Sequence, residues 1–94
     1  MTTATQEVTH NTAESRFELR VGGELAVAEY VLARDQIIFT HTGVPRSMRG
    51  RGIASRLAHA ALEHARAAGL RVVPHCSFFR TYIQRHPEYQ PLVG

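Results

Sequence analysis

The sequence predicts an α+β fold in which helices pack on a mixed sheet, with the element order β-β-β-α-β-α. Apolar and charged residues alternate at a period of two over Phe17–Val21, which is typical of a strand. From Ile53 onward, apolar residues recur every four positions, which is typical of an amphipathic helix. With 94 residues, the chain can form one packed domain and no second core.

Three sequential strands are expected in the first half of the chain. The first strand, Phe17–Val21, is joined by a Gly-Gly turn to a second strand over Leu25–Leu32. Polar residues at 34–36 provide the next turn, and a third strand runs from Ile37 towards Val44. These strands should form an antiparallel meander.

Two helices and one further strand are expected in the second half. The apolar stripe over Ile53–Ala65 predicts a helix that ends at Gly69. The short run Leu70–Pro74 then returns as a strand parallel to the third one. Ser77 is expected to cap a second helix that ends before Pro87.

The amino-terminal segment lacks the features of a packed element. Residues 1–15 contain scattered apolar residues and five threonines, so we expect a disordered tail followed by a folded domain over residues 16–94. No apolar run is long enough for a membrane helix, and no basic segment precedes an apolar one. The sequence therefore predicts a cytoplasmic protein without membrane association.

The charged residues and the single cysteine exclude several classes of site. All eleven basic residues are arginine, which excludes a Walker A motif and a lysine Schiff base. The net charge of +3 favours an anionic ligand, but a nucleic-acid partner is disfavoured because basic and aromatic residues do not interleave. Cys76 has no second cysteine with which to form a disulfide or a zinc site. His59 and His64 lie about 140° apart on a helix, so no metal site is expected.

The segment between the third strand and the first helix has the composition of an anion site. It reads Val-Pro-Arg-Ser-Met-Arg-Gly-Arg-Gly-Ile-Ala over residues 44–54. The first N–H groups of a helix have no intrahelical acceptor, and glycine allows a phosphate oxygen to approach the backbone closely. Three arginines at a helix amino terminus oppose the helix dipole, which indicates that a bound anion offsets their charge.

These residues resemble the GNAT acetyltransferase superfamily. Arg49-Gly50-Arg51-Gly52-Ile53-Ala54 fits its Arg/Gln-x-x-Gly-x-Gly/Ala signature. The chain is similar to the minimal single-domain branch of about a hundred residues. This similarity is carried by His41-Thr42-x-Val44-Pro45, Pro74-x-Cys76-x-Phe78 and Tyr82-Ile83-x-Arg85-His86-Pro87-Glu88-Tyr89.

The resemblance implies a GNAT-like fold that binds acetyl-CoA. Its pyrophosphate would lie on the amides of residues 49–54, and its pantetheine arm would pair with the backbone of residues 42–44. The cofactor-binding residues implied in this way are Thr42, Gly43, Val44, Arg49, Gly50, Arg51, Gly52, Ile53 and Ala54. Tyr82 would face the CoA sulfur as an acid. The chain departs from the family where Gly43 replaces a residue that is often acidic, and where Ser77 replaces a proline.

Cys76 and His41 are the candidate catalytic residues. Cys76 could accept the acetyl group, with His41 or a helix amino terminus lowering its pKa. His41 could alternatively serve as the base that takes a proton from an amine. The alternatives to these roles are a buried, inert thiol and a polar residue at a strand end.

The function that the resemblance implies is acetyl transfer from acetyl-CoA to an amine. The chain has no evident acceptor pocket, so the amine could be presented by a macromolecule, or a second copy of the chain could complete the site. The protein is accordingly expected to be a monomer or a homodimer. The alternative function is a non-catalytic CoA-binding or regulatory module, and an arginine-rich nucleic-acid-binding domain is less favoured.

Overall fold

The computed structural model describes residues 7–94 and contains one five-stranded sheet with two α-helices. The strands follow one another in the order β1-β2-β3-β4-β5, with the first four antiparallel and β5 parallel to β4. The predicted fold class is confirmed, and one additional strand precedes the predicted set. The elements are β1 Thr9–Asn11, β2 Arg16–Val21, β3 Glu24–Ala33, β4 Gln36–Gly43, α1 Ile53–Ala68, β5 Arg71–Pro74 and α2 Ser77–Arg85, with 3₁₀ segments at Arg46–Met48 and Pro87–Leu92.

The additional strand, β1, lies in the segment that the sequence predicts to be a disordered tail. For residues 9–11 this prediction is wrong, while residues 1–6 of that tail lie outside the described residues. The ring of His10 stacks on Phe17 with a centroid distance of 4.1 Å, and its Nε2 atom is 2.6 Å from the hydroxyl of Tyr30. β1 consists of Thr, His and Asn, so no pattern of apolar residues marks it, although the His10 ring packs on the core.

Both helices pack on the same face of the sheet and form one core with it. The stripe on α1 that includes Leu57, Ala61 and Leu62 is fully buried. On the neighbouring helix, Phe79 stacks on Phe39 of β4 with ring centroids 4.1 Å apart. This stack fixes the start of α2 beside the end of β4, where the candidate site lies.

The end of α1 lies where the sequence predicts it, whereas the start of α2 does not. Gly69 ends α1 in the left-handed conformation with φ 71°, as predicted. The residue at the N-cap of α2 is Cys76, and Ser77 is the first helical residue rather than the cap. Cys76 is extended and its N–H donates to the carbonyl oxygen of Phe39 at 2.9 Å, and the helix begins at Ser77, one residue earlier than a serine cap at that position would require.

We predict that replacing His10 with alanine lowers the free energy of unfolding by about 1–3 kcal/mol, since it leaves the buried hydroxyl of Tyr30 without its partner. Chemical denaturation measures this loss. Thr9→Ala is the matched control, because Thr9 is an exposed residue of the same strand. Equal losses for the two variants would contradict the account of how β1 is held.

Candidate active site

The connection between β4 and α1 forms the predicted anion loop. A 3₁₀ segment, Arg46–Met48, follows the end of β4 and leads into Gly50 and Gly52. Both glycines have positive φ, at 81° and 73°, a conformation that other residues adopt rarely. Gly52 is also the N-cap of α1, so the helix begins immediately after this turn.

The amino terminus of α1 has backbone donors without a side-chain acceptor. No side chain in the described part of the chain caps this helix, and the first intrahelical bond runs from the N–H of Arg56 to the oxygen of Gly52 at 3.1 Å. The N–H groups of Ile53, Ala54 and Ser55 therefore have no acceptor within the helix. They border a pocket of about 150 Å³ that is lined by Val44, Met48, Arg49, Gly50, Gly52, Ile53, Ala54 and Ser55.

The loop that forms this pocket carries three arginines, of which Arg49 lines the pocket. Arg46, Arg49 and Arg51 are exposed, and the salt bridges found within residues 7–94 involve none of them. The Nε atom of Arg49 donates to the carbonyl oxygen of Val44 at 3.4 Å, which holds the guanidinium across the end of β4. The loop thus combines unpaired backbone donors with positive charge, the combination that binds phosphate groups.

The strands on either side of the site separate before β4 ends. The ladder between β4 and β5 ends at the pair Phe39 and Pro74, whereas β4 continues to Gly43. Arg80 of α2 donates from Nη1 to the carbonyl oxygens of Pro74 and His75, at 3.2 and 2.7 Å. This contact stabilises the end of β5, and within the described residues the last part of β4 has no partner strand on that side.

A β-bulge between β3 and β4 sets the direction of the side chains at the end of β4. Tyr30 lies opposite Phe39, and Glu29 lies opposite His41, so that Thr40 is an extra residue in β4. An extra residue shifts the alternation of side chains by one position. The odd-numbered positions of β4 therefore face the helices before the bulge and the open face of the sheet after it.

Because of the bulge, Thr42 and His41 lie on opposite faces of the sheet. Thr42 lies opposite Ala28, which is fully buried on the helix side. His41 is exposed, and a Cβ atom built on Gly43 would lie 3.0 Å from His41 Nε2 and 3.7 Å from Val27 Cγ2. His41 and residue 43 therefore share the open face with Val27.

Cys76 lies on the helix side, and its side-chain partner is Thr42. The hydroxyl of Thr42 is 3.3 Å from the sulfur of Cys76. The sequence names His41 as a possible activator of this thiol, but the bulge turns His41 to the opposite face. The side chain of Thr42 is the functional group that the sequence did not reveal, because its direction depends on a bulge that no local pattern marks.

The environment of Cys76 stabilises its thiolate. Burial by itself raises the pKa of the thiol, but the hydroxyl of Thr42 and the backbone N–H groups of Phe79, Phe78 and Thr42 together outweigh burial and lower the pKa below its ordinary value. The N–H groups of Phe78 and Phe79 belong to the first turn of α2, so the predicted effect of a helix amino terminus is present here. A cysteine with a lowered pKa is a better nucleophile near neutral pH.

Tyr82 lies in an aromatic cluster on α2. Its ring stacks on His86 with a centroid distance of 3.9 Å and lies 6.1 Å from that of Phe78. Burial, followed by the carboxylates of Glu88 and Glu63, raises the pKa of this phenol. The proposed contact between Tyr82 and the CoA sulfur stays a prediction.

A second pocket lies on the outer side of α1. It has a volume of about 530 Å³ and is lined by Glu7, Val8, Ser55, Arg56, His59 and Ala60. His59 is exposed, and its Nδ1 atom is 3.0 Å from the hydroxyl of Tyr89, which donates to Glu63 at 2.6 Å. No group of three or more potential metal ligands occurs within residues 7–94.

Comparison with known proteins identifies the family. The family model described as GCN5-related N-acetyl-transferase matches residues 16–92, which include the loop, Thr42 and Cys76. The chain belongs to the GCN5-related N-acetyltransferase family. The fold and the resemblance predicted from the loop sequence are thereby confirmed.

Curated relatives and a solved structure agree with this assignment. Protein NATD1 of Gallus gallus is 33% identical over 84 residues, covering 86% of this chain and 76% of that protein. Protein NATD1 of Homo sapiens is 34% identical over 83 residues, covering 85% and 74%. The NMR structure of a GCN5-like candidate N-acetyltransferase from Staphylococcus aureus has a TM-score of 0.76 and 26% identity, covering 98% of this chain and 91% of that one.

Neither α1 nor α2, nor any other helix in residues 7–94, is long and apolar enough to cross a bilayer.

We predict that replacing Thr42 with valine raises the pKa of the Cys76 thiol, because the variant loses the hydroxyl that stabilises the thiolate. Alkylation by iodoacetamide near neutral pH should slow by about threefold to tenfold. Thr81→Val is the matched control, since Thr81 is exposed on α2. An unchanged alkylation rate in Thr42→Val would show that the backbone N–H groups of Thr42, Phe78 and Phe79 lower the pKa without help from the hydroxyl.

Proposed function

We propose that this chain binds acetyl-CoA and transfers the acetyl group to an amine. The observation that carries the proposal is the uncapped amino terminus of α1 behind Gly50 and Gly52, with three exposed arginines around it. Membership of the GCN5-related N-acetyltransferase family supports the same reaction class.

The loop fits the pyrophosphate of CoA in both space and charge. Cβ atoms built on Gly50 and Gly52 would meet no atom within 4 Å, so the space in front of the loop is open. The free N–H groups at the start of α1 and the guanidinium groups of Arg49 and Arg51 are suitable donors for phosphate oxygens. A pantetheine arm that continues from this position would run along Thr42–Val44, where β4 lacks a partner strand on the β5 side.

His41 of β4 and Tyr82 of α2 are the residues proposed for the proton transfers that amine acetylation requires. Bound acetyl-CoA supplies the acetyl group as a thioester. His41 takes one proton from the acceptor ammonium and frees the lone pair that forms the new C–N bond. As the C–S bond breaks, the sulfur takes a proton, for which the Tyr82 hydroxyl is the proposed donor. The second proton lost by the nitrogen restores that hydroxyl, which balances the reaction.

Cys76 offers a second route for the same transfer. Its thiolate would take the acetyl group first, with release of CoA, and would then pass it to the amine. The lowered pKa of Cys76 and its position at the start of α2 support this route. The exposure of His41 on the opposite face supports direct transfer. The two routes differ in whether the protein alone becomes acetylated.

The proposed acceptor is an amine on a macromolecule, such as a lysine side chain or an amino terminus. His41 is exposed on the open face of the sheet, which suits an acceptor that approaches from solvent. A site completed by a second copy of the chain is the alternative, so the mass in solution distinguishes a monomer from a homodimer. We also propose that the protein is located in the cytoplasm.

We predict that saturating acetyl-CoA raises the Tm by roughly 10–20 °C, because a ligand at about a hundredfold its Kd stabilises the fold by about 2.7 kcal/mol. The matched variants are Gly52→Asp and Gly52→Asn, since Asp and Asn both tolerate the positive φ at this position better than other side chains do. Asp adds a negative charge beside the phosphate and should abolish the shift, whereas Asn should retain part of it. An unchanged Tm of the wild type with acetyl-CoA would exclude the proposed ligand.

A separate prediction concerns Cys76. If the covalent route operates, incubation with acetyl-CoA alone should add one acetyl group at Cys76, hydroxylamine should remove it, and Cys76→Ala should bind acetyl-CoA but lose turnover. The absence of lysine leaves the amino terminus as the principal competing site, which mass spectrometry resolves. Normal turnover by Cys76→Ala would favour direct transfer, and binding without turnover by the wild type would favour a CoA-binding module.

A further inference from the structure

The open face of the sheet carries a row of polar residues that crosses four strands. Asn11 lies opposite Arg16, Arg16 lies opposite Glu29, and Glu29 lies opposite His41. Directly opposed residues in antiparallel strands have Cβ atoms about 4.5–5.5 Å apart, which is close enough for their side chains to interact. The row ends at His41, the proposed base.

The other members of this row leave Glu29 as the charged neighbour of His41. The Nε atom of Arg16 donates to Glu18 at 2.6 Å, and the Nδ2 atom of Asn11 donates to the same carboxylate at 2.9 Å. Arg16 is thus engaged by Glu18 at its Nε atom. Glu29 is half-buried in mid-strand and lies directly opposite the exposed His41, while Arg16, opposite Glu29 on its other side, also interacts electrostatically with this carboxylate.

Gly43 provides the space that the His41 ring occupies. A Cβ atom on residue 43 would lie 3.0 Å from Nε2 and 3.8 Å from Cδ2 of His41, so the ring extends along β4 over the backbone of Gly43. The φ of Gly43 lies outside the left-handed region, and the backbone there accepts alanine. A side chain at position 43 would therefore press on the His41 ring in its present position, while the backbone conformation itself does not call for glycine.

We propose that Glu29 and Gly43 are positioning residues that hold the His41 ring over the end of β4, so that an acceptor amine meets the base from the open face of the sheet. This inference rests on the proposed function and identifies the face from which the acceptor approaches. Cys76 and Thr42 lie on the helix side, so the acetyl donor and the acceptor amine approach β4 from opposite faces. By its resemblance to the family, the sequence shows Gly43 where an acidic residue is often found. In the structure, the His41 imidazole lies over Gly43, where a side chain would otherwise be.

The space at Gly43 is tested with Gly43→Ala. The added methyl group would press on the far end of the exposed His41 side chain and make an ordinary contact with Val27, so the Tm should stay within about 2 °C of the wild type while the ring is displaced. Acetyl transfer to a short peptide with one lysine should fall about tenfold to a hundredfold in kcat, because the displaced ring no longer holds the reacting geometry. In the double variant Gly43→Ala/His41→Ala, kcat should be no lower than in His41→Ala alone, because Gly43 acts through His41. Val31→Ala, an exposed change elsewhere on the same face, is the control.

The role of Glu29 is tested with Glu29→Gln and Glu29→Asp. We expect Glu29→Gln to lower kcat about tenfold with little change in the KM for acetyl-CoA, and Glu29→Asp to restore part of the loss. Glu24→Gln, which removes a charge from an exposed position at the start of the same strand, should act like the wild type. Equal kcat values for the wild type, Gly43→Ala and Glu29→Gln would overturn the proposal.

A measurement without turnover separates this proposal from the proposed function. The ring signals of His41 in a ¹H–¹³C NMR spectrum, assigned by their loss in His41→Ala, should move in Gly43→Ala and Glu29→Gln but not in Val31→Ala or Glu24→Gln. Unchanged signals in the first two variants would overturn the positioning roles even if acetyl-CoA binds. Shifted signals without any acetyl-CoA binding would support the positioning roles and contradict the proposed function.

Discussion

The β-bulge between β3 and β4 determines which face of the sheet each residue of the candidate site occupies. Without the extra residue Thr40, His41 would follow Phe39 into the core, and Thr42 would face solvent. With it, Thr42 reaches the sulfur of Cys76 at 3.3 Å, and His41 turns to the open face. One additional residue in a strand thus separates the thiol from the imidazole.

Much of the fold and the loop could be predicted from the sequence, because both depend on local signals. The four-residue spacing of apolar residues marks α1, and Gly69 marks its end through a conformation that glycine adopts readily. Gly50 and Gly52, placed between a strand and that helix, mark the anion loop in the same way. Each of these features can be recognised from residues that lie close together in the sequence.

The features that the sequence did not reveal depend on contacts between distant segments. β1 is held by the stacking of His10 on Phe17 and by its bond to Tyr30, and no periodicity of apolar residues marks such a strand. The pairing of Thr42 with Cys76 crosses 34 positions in the chain and follows from the bulge. The sequence therefore identified Cys76 and His41 as candidates but could not show that they lie on different faces.

The most direct test of the account is an ¹⁵N NMR titration of the protein with CoA, which reports the environment of each backbone N–H. The account predicts that the largest shifts occur at Gly52, Ile53, Ala54 and Ser55, where the helix leaves its donors without acceptors. Shifts confined to other surfaces, or no shifts at saturating CoA, would contradict the assignment of this loop as the acetyl-CoA site.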